Sequence, residues 1–122
     1  MTPEEMKTRT RKFSLRVMRL VEALPRTRTG EIVGRQLLRC GTSVGANYRS
    51  ACCARSKADF IARMGIVEEE ADEAAYWMEL LAEAELVAES RVANLMKECK
   101  EIVAIVVASI NTARGQPRKR SE

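Results

Sequence analysis

Histidine is absent from the chain. That absence removes the Ser-His-Asp and Cys-His nucleophile systems, the histidine general base, zinc sites with imidazole ligands and the Glu-x-x-His motif of di-iron bundles. Aromatic residues are also scarce, at 4% of the sequence, which disfavours the sandwiches and barrels whose strands depend on them. The most apolar run, Ile102 to Ile110, falls far short of the ~20 residues a membrane-spanning helix needs. Met1 to Lys12 is polar and has no apolar core of an export signal, so cytoplasm is the expected compartment and no membrane contact is expected. Four cysteines are present, Cys40, Cys52, Cys53 and Cys99, without C-x-x-C spacing. Adjacent Cys52 and Cys53 point about 100° apart on a helix. The four are expected to be reduced thiols serving as small apolar side chains, with no disulfide, metal or cofactor.

What remains is 122 residues, 46% hydrophobic and 31% charged, enough for one core and one domain. The net charge of +4 conceals a division along the chain. Residues 1–63 carry 14 basic and 5 acidic side chains, residues 64–113 carry 3 and 11, and residues 114–122 carry 4 and 1. Such a chain can neutralise itself within the fold, pair between subunits, or turn a basic face to a polyanion.

Capping and breaking residues divide the sequence into four helical segments. Thr2-Pro3-Glu4-Glu5 carries an N-cap, a proline at the first helical position and the acid of a capping box. The first helix then runs to about Leu24, with Met6, Phe13, Val17, Leu20 and Leu24 on one face. Pro25 to Gly30 reads as a loop, and Glu31 to about Cys53 as the second helix. Ser56-Lys57-Ala58-Asp59 is the start of a third, whose Phe60, Met64, Val67, Ala71, Ala74, Met78 and Leu81 follow the steps of a bundle seam. The fourth spans about Arg91 to Arg114. Its core stripe of Leu95, Cys99, Ile102, Val106 and Ile110 is widened by Val103, Ile105 and Val107, so this helix is expected to be buried on a second side, against a neighbouring subunit. Residues 1–114 are thus one all-α bundle domain, and residues 115–122, with Arg118, Lys119 and Arg120, a basic tail expected to be disordered.

On a helical wheel the second helix shows three stripes. Val33, Leu37, Val44 and Tyr48 form a core face, and Arg35, Arg39 and Arg49 a basic one, with Gln36, Ser43 and Asn47 on the border between them. Border residues of this kind are expected to hydrogen-bond across a helix interface. Gly41 and Gly45 lie inside the helix, each at a cost of ~1 kcal/mol relative to alanine. The offset is expected from close approach of another helix or from a local kink.

Three stretches carry a resemblance: Gln36 to Arg49 (QLLRCGTSVGANYR), Ser56 to Ile61 (SKADFI) and Glu70 to Leu81 (EADEAAYWMELL). Together they resemble the bacterial four-helix bundle family, also called the 23S ribosomal RNA intervening-sequence protein (S23) family, over about residues 13–113. Ser50 stands where that family usually has glutamate, Cys40 where it has serine, Glu69 where it has lysine and Ala74 where it has threonine. The resemblance implies an up-and-down antiparallel four-helix bundle that assembles into a ring-shaped homopentamer. It also implies bacterial origin and an activity not established across the family: members are encoded within sequences that interrupt 23S rRNA genes. A related group serves as accessory proteins of diversity-generating retroelements, where binding of nucleic acid and reverse transcriptase is implied.

The first functional expectation is weakly sequence-specific binding of RNA or DNA. Arg9, Lys12, Arg16 and Arg19 lie within about 80° of one another on the first helix, the second adds Arg35, Arg39 and Arg49, and the tail adds Arg118, Lys119 and Arg120. A ring would multiply these stripes. No recognition motif or stacking platform accompanies them, so contacts would go to the phosphate backbone. Gln36, Ser43, Asn47, Tyr48, Trp77, Val103 and Val107 are expected to serve packing and subunit contacts. The alternative is a protein-interaction scaffold in which the arginines pair with Glu68, Glu69, Asp72, Glu73, Glu79 and Glu83 within or between subunits. Enzymatic activity is not expected: the carboxylate pairs Glu69/Glu73 and Glu79/Glu83 sit in an acidic, solvated stretch without imidazole partners.

Overall fold

The structure, a computed structural model, describes residues 1–115. It holds four helices, α1 (Pro3–Glu22), α2 (Arg28–Cys52), α3 (Lys57–Glu83) and α4 (Glu89–Ala113), and no strand among the described residues. Each helix packs against the next in sequence, and α4 closes the bundle against α1 over a slimmer seam. The expected tail lies, from residue 116 onward, outside the described residues.

Local chemistry sets the helix starts. Thr2 and Glu5 form the expected capping box: the Thr2 hydroxyl accepts from the Glu5 N–H at 3.1 Å, and the Glu5 carboxylate accepts from the Thr2 N–H at 3.0 Å. Those hydrogen bonds, the one from the Thr2 backbone first, hold the Glu5 carboxyl below its usual pKa. Ser56 caps α3 by accepting from the Asp59 N–H at 3.0 Å.

Two starts differ from the sequence expectation. Helix α2 begins at Arg28 because Thr27 caps it, accepting from the Gly30 N–H at 3.1 Å. Gly30 is inside the first turn, where a Cβ would fall 2.3 Å from the Pro25 carbonyl oxygen; the glycine supplies room for the folded-back loop. Helix α4 begins at Glu89, and its N-cap Ala88 supplies no side-chain acceptor. The turn before it passes through Glu85 at φ 59°, with the Leu86 N–H donating to the Leu81 carbonyl at 3.0 Å. Such closing turns favour glycine.

One contiguous core runs the length of the bundle. The α3 seam from Met64 through Val67, Ala71, Ala74 and Met78 to Leu81 is buried throughout, and faces Phe13 and Val17 of α1, Leu37 and Val44 of α2 and Ile102 and Val106 of α4 across the same cluster. Helix α1 lies close against α2. A Cβ on Gly41 would come within 2.7 Å of Val17 Cγ1, and the Ser14 hydroxyl donates to the Gly41 carbonyl at 3.1 Å. Close approach, rather than a kink, therefore accounts for the glycines inside α2.

Candidate nucleic-acid interface

The basic residues of α1 divide by what lies across the seam. Arg9, half-buried, grips Glu98 of α4 with both prongs of its fork, Nε to Oε2 and Nη2 to Oε1, each at 2.7 Å, and reaches Glu101 at 3.3 Å. Side-chain hydrogen bonding to Glu98 raises the guanidinium pKa further still. Arg39 of α2 is likewise engaged, donating to Glu70 at 3.3 Å and to Glu73. Both pairs form within one chain and join neighbouring helices. By contrast, Lys12, Arg16, Arg19, Arg35 and Arg49 take part in no ion pair among the described residues. Arg16 is half-buried and the other four are exposed. Arg118, Lys119 and Arg120 lie outside the described residues.

Structure adds one cation that the sequence pattern hid. Arg91, in the first turn of α4, joins Arg16 and Arg19 along a cleft of about 310 Å³ between α1 and α4. It sits in the acidic portion of the sequence, and only the register of α4 against α1 reveals its neighbours.

Residues expected to hydrogen-bond across interfaces behave differently from that expectation. The Ser43 hydroxyl donates to the Arg39 carbonyl at 2.7 Å and the Asn47 amide to the Ser43 carbonyl at 2.8 Å, so both bonds stay within α2. A polar side chain at i has a helical carbonyl at i−4 in reach, and here it satisfies them locally. Gln36 is half-buried beside them. Tyr48 is buried, and desolvation followed by hydrogen bonding with Cys52 raises its phenol pKa. Trp77 is half-buried; its indole N–H donates to Glu73 at 3.0 Å, and its ring meets Tyr76 edge to face with centroids 5.1 Å apart. Val103 and Val107 are half-buried, leaving part of the second side of α4 open.

Glu73, bound by Arg39 and Trp77, is thereby committed to the α2–α3 contact, while Glu69, Glu79 and Glu83 are exposed. No cluster of three metal-capable side chains occurs among the described residues. All four cysteines are free: Cys40 and Cys99 are buried, Cys52 and Cys53 exposed. Burial pushes the Cys40 and Cys99 thiols up to about 12. No helix of the described residues is long and apolar enough to cross a membrane. Large apolar side chains are exposed at Leu15 and Met18 on α1, Ile32 and Leu38 on α2, and Ile66 and Tyr76 on α3.

Comparison with known proteins places these features in a family. The sequence profile of the 23S rRNA-intervening sequence protein family matches residues 4–108. A crystal structure of a protein of unknown function from the S23 ribosomal protein family of Bacteroides thetaiotaomicron VPI-5482 superposes with a TM-score of 0.81 at 33% sequence identity. The match covers 86% of this chain and 97% of that one. No match is found among curated proteins.

Proposed function

The chain belongs to the 23S rRNA-intervening sequence protein family, and on that footing we propose that it is a non-enzymatic, oligomeric helical bundle that binds nucleic acid through its phosphate backbone. The observation that carries this reading is the sorting of the arginines. Arg9 and Arg39, which meet carboxylates across a helix seam, are neutralised within the chain, whereas exposed Lys12, Arg19, Arg35 and Arg49 and half-buried Arg16 form no ion pair among the described residues. Surface cations without partners are free to replace counterions along a polyanion. The aromatic side chain that is exposed, Tyr76, belongs to acidic α3, so base stacking contributes little and contacts discriminate sequence weakly. The ring of five chains that the family resemblance implies would present the same cations five times, and weak contacts would sum to useful avidity.

A second reading, an interaction scaffold, draws on the exposed apolar side chains. Leu15, Met18 and Leu38 lie on the basic helices, Ile66 and Tyr76 on the acidic one. In that reading opposite faces of successive subunits meet, and charge serves assembly.

One titration separates the two. Fluorescence anisotropy of labelled single-stranded RNA and DNA is followed from low to high salt, with the mass recorded by light scattering at each step. Binding that falls steeply with salt at constant multimeric mass supports the polyanion reading. Replacing Arg35 and Arg49 with alanine then weakens binding and flattens its salt dependence. Absence of binding at low salt, together with a mass that drops as salt rises, would overturn it in favour of the scaffold.

A further inference from the structure

The α1–α4 seam contains two equivalent levels with opposite electrostatics. At the first, Arg9 faces Glu98 and Glu101. Seven residues on along α1 stands Arg16, and seven residues back along antiparallel α4 stand Arg91 and Asn94 in place of the two glutamates. Seven residues are two helical turns, so each position keeps its face. The second level therefore repeats the geometry of the first with both carboxylates removed and a like charge installed. Arg16, Arg19 and Arg91 line the resulting cleft together with Ser90 and Asn94, and none of the three arginines is in an ion pair among the described residues.

Resting on the phosphate-binding reading above, we infer that this cleft anchors a backbone phosphate of the bound nucleic acid. Guanidinium forks match phosphate oxygens, and two helices contribute them from both sides. The Ser90 hydroxyl and the Asn94 amide add neutral donors at the same level. Behind them stand Leu20 and Leu95, both buried, which give the site an apolar wall and strengthen the attraction above its value in open water. The N-terminal turn of α4, left without a side-chain cap, lies beside the cleft, and its one acid, Glu89, lines other clefts of the surface and not this one. Lys12 continues the cationic line along the exposed side of α1, so a chain held at the cleft meets further charge on its way out. That line distinguishes a polymer site from one for a free oxyanion.

Arg91→Glu is the decisive variant, because it recreates at the second level the pair that the first level already forms. Melting in chloride, melting with inorganic pyrophosphate at matched ionic strength, and anisotropy with fluorescein-labelled single-stranded RNA are measured for wild type and variant. The expected result is a higher Tm of the variant in chloride, loss of the pyrophosphate-induced rise seen in wild type, and about tenfold weaker RNA binding with a salt slope lower by about one contact's worth, ~0.7. A lower Tm in chloride with unchanged RNA binding would overturn the inference by showing that the cleft serves the fold. A higher Tm with unchanged RNA binding overturns it too, and leaves the nucleic-acid reading standing with its contacts elsewhere. Pyrophosphate stabilisation without any RNA or DNA binding supports an oxyanion cleft and overturns the nucleic-acid reading and the polymer occupant with it. Absence of both effects in wild type overturns both.

Discussion

Replacing Gly41 with alanine tests how tightly α1 and α2 are packed, because two effects of known size oppose each other there. Alanine inside a helix gains ~1 kcal/mol over glycine. Against that, the new Cβ would sit 2.7 and 2.9 Å from the two γ-methyls of Val17, where carbon contacts normally relax to about 3.5–4.0 Å. Val17 is fully buried and, being β-branched in a helix, has essentially one χ1 rotamer. It cannot turn away, so the helices must part, and two contacts this short put the cost in the upper part of the overpacking range, at ~2–3 kcal/mol. Net destabilisation of about 1–2 kcal/mol is expected for Gly41→Ala. The opposite is expected for Gly65→Ala on α3, where a Cβ meets nothing within 4 Å: the propensity gain stands alone, at ~1 kcal/mol. Gly45→Ala lies between, with Thr10 Oγ1 at 3.3 Å, and is expected near neutral.

Urea unfolding followed by far-ultraviolet circular dichroism separates the three, provided the denaturant slope is unchanged. The spread between Gly65→Ala and Gly41→Ala corresponds to roughly 6–15 °C in Tm for a domain of this size. Gly41→Ala combined with Val17→Ala should cost less than the sum of the two single changes, since the methyls that collide are gone. A Gly41→Ala protein as stable as wild type would refute the close approach and with it the explanation for that glycine.

Arg9→Ala breaks the fork on Glu98 and the contact with Glu101. Because the α1–α4 seam is the slimmest of the bundle, a loss of ~1–2 kcal/mol is expected, smaller at high salt and measurable by the same unfolding assay; an unchanged midpoint would show that the pair contributes nothing. Alkaline pH should destabilise the protein through Cys40 and Cys99. Their folded pKa values stand at about 12 against an ordinary 9.0, so above pH ~9 the unfolded chain holds fewer protons than the folded one and stability falls as pH climbs towards 12, with no effect below that window. Urea midpoints at pH 8 and 10.5 read this directly, and Cys40→Ala with Cys99→Ala should flatten the decline. At neutral pH a disulfide reagent should label Cys52 and Cys53 at once and the other two only on unfolding.

Legibility in the sequence followed the range of the interaction. The capping box at Thr2 and Glu5 and the Ser56 cap involve neighbours three residues apart, and the α3 seam from Met64 to Leu81 is a property of one helix, so these were visible in the residue order. Gly30 misled because a glycine that closes a loop and one that makes room for Pro25 inside the first turn of the next helix are the same letter; only the returning loop distinguishes them. The arginines show the same limit more sharply. A wheel of α1 places Arg9 and Arg16 on one stripe and makes them equivalent. What separates them is the residue across the seam, Glu98 for one and Arg91 for the other, and that depends on how far α4 is shifted along α1, which the loops and core packing determine. Counting charges along the chain assigned Arg91 to the acidic part and Arg9 to the basic face, whereas the packed bundle reverses both assignments. Charge available to a partner is therefore a property of the seams between helices, and the cation-rich level of α1–α4 emerges only when two sequence segments about 72–75 residues apart are brought into register.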